Sequence, residues 1–170
     1  MKYLLIIVLL AGSISASAQA KYEIEKPFKG DKLAVFETVV TLFDGMRAGD
    51  SAIVHSVFRD NPDIFTSSTN AEGKPLLTRG SLQKFLKAVG TPHEVIYDEP
   101  IWDVKIEIDG NLAMVWTAYA FYAGKNFSHC GVDAFMLNKN EEGWKIFHLT
   151  DTRQKIGCLV PDSIKIGREN

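Results

Sequence analysis

The sequence predicts an α+β domain in which N-terminal helices pack on one face of a mostly antiparallel sheet. Three observations predict it. Apolar residues recur at helical spacing in the first half of the chain, as in Val35, Val39, Leu42, Phe43 and Met46. Over residues 101–153 they alternate at strand spacing instead. Between those alternating runs, Asp109-Gly110-Asn111 and residues 138–143 are turn signals that fold the chain back on itself.

Residues 1–20 read as a cleaved secretory signal. Lys2 supplies the positive start, residues 3–11 are apolar and uncharged, and Ala16-Ser17-Ala18 and Ala18-Gln19-Ala20 offer small side chains for the cut. The apolar run is about 9 residues long where a spanning helix needs roughly 20, so it reads as a signal rather than an anchor. The mature chain is expected to start at Gln19 or Lys21, outside the cytoplasm, in a periplasmic or secreted setting. Residues 21–170 are read as one domain, because no repeat, linker or low-complexity segment divides them.

The elements follow in order. Asp31 is the candidate N-cap of a first helix that ends at Ala48-Gly49-Asp50, and Asp50 or Ser51 caps a shorter helix running to Phe58. Asn61-Pro62-Asp63 reads as a turn, residues 64–68 as a short strand and residues 75–79 as another. Ser81 caps a third helix with Leu82, Phe85, Leu86 and Val89 inward, stopped by Gly90 and Pro92. Four strands are expected over residues 101–109, 112–122, 128–138 and 144–152.

Hydrophobic residues make up 46% of the chain and charged residues 24%, the balance of a globular protein able to bury a core without a staple. The net charge is −2 and the basic residues are scattered, which argues against a nucleic-acid partner. Cys130 and Cys158 form an even pair. In an oxidising compartment they favour a disulfide that holds down the C-terminal tail; two buried thiols are the alternative.

Hairpin registers assign side chains to faces, since alternate strand residues point the same way. The first turn would pair Val104 with Val115 and Trp102 with Thr117; the last would pair Leu137 with Trp144, Phe135 with Ile146 and Asp133 with His148. An odd-length connection around Gly124-Lys125-Asn126 sets Thr117 beside Asp133 and Tyr119 beside Gly131. One face then lies under the helices and gathers Asp133, His148, Tyr119, Thr117, Trp102 and His129 among apolar neighbours. The other face, with Trp116, Ala134, Met136 and Phe147 among charges, is left wet in a monomer and is expected to form a homodimer.

Asp133 and His148 are therefore the candidate acid–base pair, with Tyr119 as a hydrogen-bond donor to a developing oxyanion. Trp102, Thr117 and His129 are candidate ligand contacts in an aromatic-walled pocket for a small apolar or aromatic molecule. Three readings of this cluster stay open: proton-transfer catalysis, ligand binding without chemistry, and a pair that only stabilises the sheet. Asp151 and Arg153 are expected to pair at the end of the last strand and order the tail, with Asp151 facing away from the pocket. No metal site and no cofactor are expected, because the metal-ligand types lack tight spacing and no phosphate loop or dinucleotide fingerprint is present.

The order of helices and strands, with Gly143-Trp144-Lys145-Ile146 opening the last strand, resembles the nuclear transport factor 2-like fold. This superfamily includes SnoaL-like polyketide cyclases, ketosteroid isomerase and scytalone dehydratase. Phe127-Ser128-His129-Cys130-Gly131 through Phe135, together with residues 144–158, resembles exported members of that group. The resemblance covers roughly residues 31–158. It implies a cone whose sheet curves around a pocket with an acidic residue or a histidine at its base, where Asp133 and His148 fit. It implies no single function, since such cones serve as enzymes, binding modules and assembly domains.

Overall fold

The computed structural model describes residues 21–24 and 27–168. The signal segment expected at residues 1–20 lies outside them. Helix α1 (Gly30–Ala48) buries Val35, Val39, Leu42, Phe43 and Met46, the stripe the sequence marks. It closes at Gly49, whose left-handed φ of 66° lets its N–H reach back to the Gly45 and Met46 carbonyls. Its start differs from expectation. Lys29 occupies the cap position without a side-chain bond, and Asp31 sits in the first turn, where Lys139 Nζ reaches it at 2.8 Å.

Helix α2 (Ser51–Ser56) is capped by Asp50, whose carboxylate accepts from the Ala52 and Ile53 N–H groups. It stops before Phe58 because Phe58 already opens strand β1 (Phe58–Thr69), where it pairs with Ile146. The Asn61-Pro62-Asp63 turn is instead a bulge inside that strand. Asn61 takes a φ of 53°, and the register shifts between Phe58 and Asp63. Strand β2 (Pro75–Arg79) and helix α3 (Leu82–Gly90) follow, the latter capped by Ser81 bonding the Lys84 N–H. A two-residue strand, β3 (Tyr97–Asp98), precedes the meander of β4 (Ile101–Asp109), β5 (Leu112–Ala123), β6 (Asn126–Asn140) and β7 (Gly143–Thr152).

The sheet runs β2-β1-β7-β6-β5-β3, with β4 also paired to β5; among these strand pairings only β1–β7 is parallel, and an isolated parallel bridge joins Tyr22 to Ile101. Its inner face packs Val115, Phe135, Leu137 and Ile146 against the helices in the main core. On the opposite face a second cluster joins Trp102, Ala120, Tyr122 and Cys130 to Val160 and Ile164 from the tail. That tail ends in a short helix, α4 (Asp162–Lys165). Cys130 and Cys158 are bridged, with Cα atoms 6.0 Å apart, and Cys130 exchanges two 2.9 Å backbone bonds with Gln154. Arg168 completes the strap by donating to buried Asp98 at 2.6 and 2.9 Å. The tail thus covers one end of a face expected to be open. Met114, Trp116 and Phe147 remain exposed on the rest of it.

Two bulges and the setting of one turn revise the expected registers. The β4–β5 turn is set so that Asp109 faces Leu112, giving Ile106–Val115 rather than Val104–Val115. Asp103 then bulges with a φ of 51°, so Trp102 pairs with Ala118 and turns to the outer face. The β5–β6 alignment is the expected one, Thr117 beside Asp133 and Tyr119 beside Gly131. An even turn between Ala123 and Asn126 plus the extra residue Ser128 supplies the odd count. In β7, Leu137 pairs with Ile146 but Met136 pairs with His148, which leaves Phe147 as an extra residue. Beyond it Asp133 faces Asp151, not His148.

Candidate functional site

A cavity of about 320 Å³ lies between the inner face of the sheet and the helices α1 and α3, a size at the small end of ligand pockets (roughly 300–1,000 Å³). Two neighbouring cross-strand rows build its floor. One reads Thr117, Asp133, Asp151, Thr66 across β5, β6, β7 and β1; the next reads Val115, Phe135, Leu149, Ile64. Because the side-chain period of a strand is two, a polar row lies directly against an apolar one. Phe43, Met46 and Phe85 close the cavity from the helical side.

Two carboxylates directly opposite one another destabilise a sheet unless they are neutralised. Asp151 is neutralised by donors. Thr66 Oγ1 gives it a bond of 2.7 Å, Arg153 Nε one of 2.5 Å, and the Tyr119 hydroxyl a longer one of 3.3 Å. Asp133 has no such help. It is 3% exposed, and its Oδ2 has no donor among the described residues. Its hydrogen-bonding neighbour is a second carboxyl, Glu99, and two carboxyl groups bond only through a proton held between them.

Burial is the main cause that drives the Asp133 carboxyl well above its ordinary value, and the Glu99 and Asp151 charges add to it. Burial likewise pushes Glu99 up to about 8, with Asp151 adding and with Arg153 and the bond from Asp133 opposing. Glu99 is placed by what surrounds it. Pro100 holds it extended, and its neighbour Asp98 is gripped by Arg47 from the last turn of α1 at 2.7 Å and by Arg168 from the tail. Alternation then turns Glu99 toward the cavity that it lines.

The remaining candidates fall into three groups. Tyr119 and His129 line the cavity. The Tyr119 hydroxyl, however, is committed to the Thr152 carbonyl at 2.8 Å, and burial raises its pKa further. His129 packs edge-on to Tyr119 at 5.7 Å and takes a 3.0 Å contact from Ser128; burial lowers its pKa to about 4, with Arg153 assisting, so the ring is neutral at physiological pH. Thr117 is fully buried and bonds the Trp102 carbonyl at 2.9 Å, serving the bulged strand rather than the cavity.

Trp102 and His148 are corrections. Trp102 packs in the outer cluster under the tail. His148 lies on the outer face, bonded to Thr150 at 2.8 Å and set 5.9 Å from the Phe65 ring, so the Asp133–His148 pair does not form. Asp151, expected outward, points inward, and its expected bond with Arg153 forms at the cavity floor. Glu99 is the residue the sequence reading missed. The only signal for it is an acid placed before a proline at the start of a strand.

Helices lying over a curved sheet, with a cavity between them floored by paired carboxyls, define a nuclear transport factor 2-like cone. The fold neighbours agree. A nuclear transport factor 2-like protein of unknown function from Shewanella baltica is 20% identical at a TM-score of 0.56, over 74% of this chain and 94% of that one. One from Cytophaga hutchinsonii gives 9% and 0.59, over 74% and 100%. One with a cystatin-like fold from Novosphingobium aromaticivorans gives 8% and 0.57, over 76% and 84%. Residues 30–149, well over half of the chain, match the family described as "Putative lumazine-binding", and the chain belongs to that family. No curated protein matches it. Fold and family fit a ligand-binding or enzyme-like protein, and the disulfide is consistent with a place outside the cytoplasm.

Proposed function

We propose that the protein binds a small, flat, largely apolar molecule in an extracytoplasmic compartment, inside the cavity between the sheet and the helices. The observation that carries this reading is the cavity itself. It is walled by Phe43, Phe85, Phe135 and Leu149, and its polar groups gather on one side of its floor, with Ser81 and Lys84 added from the α3 side. Such a site takes a ring system by its faces and orients it by one polar edge. The family description names lumazine binding, which supports a heteroaromatic ligand. Native mass spectrometry of protein purified from its own host should find a small molecule that a cavity-filling Leu149→Trp variant lacks. A wild-type protein that is empty under several growth conditions contradicts the reading.

Catalysis by proton transfer is a second reading, favoured by the Glu99–Asp133 contact. A buried carboxyl that keeps its proton near neutral pH is suited to general acid work. Once a ligand is found, conversion that survives both Asp133→Asn and Glu99→Gln rules it out.

A further inference from the structure

We propose that the ligand presents a neutral lactam-type edge, an N–H donor beside a carbonyl acceptor, to the Glu99–Asp133 carboxyl pair. The inference rests on the reading of the cavity as a small-molecule site and says what chemistry the site selects. The polar groups on the floor are mostly engaged with one another. Asp151 is engaged by Thr66 and Arg153, and the single Tyr119 proton goes to the Thr152 carbonyl at 2.8 Å. Arg153 is half exposed and bonded to Asp151, so it does not stand as a free cation for an anionic ligand on the floor. What remains is the carboxyl pair, with Asp133 only 3% exposed and its Oδ2 without a donor among the described residues.

With both carboxyls protonated below about 8, one proton lies between them and the second leaves a carboxyl that offers a ligand one donor and one acceptor side by side. Its geometric complement is a cis-amide edge, which returns an acceptor and a donor at the same spacing. An ammonium ligand would instead require ionised carboxylates, which enclosure opposes. Other charged and titratable groups face the pair from each packed element: Asp151 and Arg153 from β7, Tyr119 from β5, His129 from β6, Asp98 beside Glu99, and Lys84 from α3 at the cavity wall. Of these, His129 stays neutral down to about 4, so it does not titrate across the range that matters. Glu99 does, near 8. Above that pH the pair loses a proton and with it the donor, so binding of a neutral lactam falls as pH rises through about 8.

The test uses four probes titrated into the purified protein by calorimetry between pH 6 and pH 9: 2-quinolinone, its N-methyl derivative, naphthalene and 1-naphthylmethylammonium. 2-Quinolinone is a fused-ring lactam that stays neutral over this range. It should bind about tenfold or more tightly than the N-methyl form, which cannot donate. Its affinity should fall by up to about tenfold per pH unit above about 8, as expected for one lost proton. Glu99→Gln keeps a donor and an acceptor but does not titrate, so it should retain the lactam preference with a flat pH profile. If that variant does not fold, the wild-type profile decides alone. Equal binding of both quinolinones overturns the lactam inference and leaves small-molecule binding standing, as naphthalene binding would then show. An ammonium probe that binds best, and more tightly as pH rises, also overturns it. Failure of all four probes removes the inference together with the cavity reading beneath it.

Discussion

Replacing both half-cystines, Cys130→Ser with Cys158→Ser, should cost the fold about 3.5 kcal/mol. The bridge closes a loop between residues 28 apart in the chain. On the chain-entropy account a loop of that size removes about 12 cal/mol/K from the unfolded ensemble, or about 3.6 kcal/mol at 25 °C. The folded tail has other attachments that survive the change. Arg168 still grips Asp98, and Val160 and Ile164 still cover Trp102 and Tyr122. The loss is therefore felt chiefly in the unfolded state, and the native structure should persist. Urea titration followed by tryptophan fluorescence reads it directly. With a slope of roughly 2 kcal/mol/M for a domain of this size, the midpoint should drop by roughly 2 M, with a modest rise in slope because the unlinked unfolded chain exposes more surface. A drop worth less than about 1 kcal/mol would refute the reasoning, because it would mean that the tail constrains the unfolded chain little. A fall in slope would instead show that the tail had come away from the sheet in the native state.

Four further outcomes are expected. Glu99 and Asp133 hold protons in the fold that an unfolded chain releases above its ordinary carboxylate value, so the folded state binds more protons between about 4.5 and about 8. Stability must then fall as pH rises through that window; at about 1.4 kcal/mol per pH unit, reduced because Glu99 is partly solvated, this amounts to about 2–3 kcal/mol. A melting temperature flat from pH 5 to pH 8 contradicts it, and Glu99→Gln should reduce the slope. Gly131→Ala should prevent folding or destabilise severely, because its Cβ would lie 1.9 Å from the Thr152 carbonyl oxygen, a backbone atom that cannot step aside; a soluble, native-like variant by circular dichroism counts against the β6–β7 geometry. His148→Ala should leave cavity binding intact while Asp133→Ala abolishes it, since only Asp133 lines the cavity; equal losses by calorimetry would put the histidine back in the site. Trp116→Lys should turn a dimer into a monomer in sedimentation velocity, because Trp116 stands 46% exposed with Met114 on the open face; a wild-type protein that is monomeric at all concentrations sinks the dimer.

Periodicity made the elements legible. The stripe on α1 is buried as the spacing demands, β4 spans the residues its alternation marks, and the cysteine count anticipates the bridge. Periodicity also carried Asp133, His129 and Tyr119 to the correct face, because no extra residue intervenes among Thr117, Tyr119 and their partners Asp133 and Gly131. Where an extra residue does intervene, face assignment inverts beyond it. The Asp103 bulge turns Trp102 outward, and the extra Phe147 exchanges His148 for Asp151. Neither leaves a signature, since Asp103 and Phe147 are not the glycine, proline or asparagine that usually announces a break. Glu99 was out of reach for a different reason, in that its position depends on β3 pairing with β5 and on Arg47 and Arg168 meeting at Asp98, all contacts distant in sequence.

These two bulges lie beside the cavity, and the chemistry of the cavity depends on one of them. Were β7 to continue the Leu137–Ile146 register without that bulge, Thr150 would face Asp133, His148 would turn inward beside Phe135 and Asp151 would turn outward, leaving a floor without its Thr66–Asp151–Arg153 anchor. With it, Asp151 consumes the donors of Thr66 and Arg153, and Asp133 is left with Glu99 as its partner. The shared proton of the carboxyl pair follows from the register that the bulge sets on a neighbouring strand. The segment that sets the protonation of the site is thus the segment where regular alternation fails; deleting Phe147 removes only the extra residue, so it should leave His148 against Met136 and Asp151 against Asp133, with the pH dependence of stability unchanged.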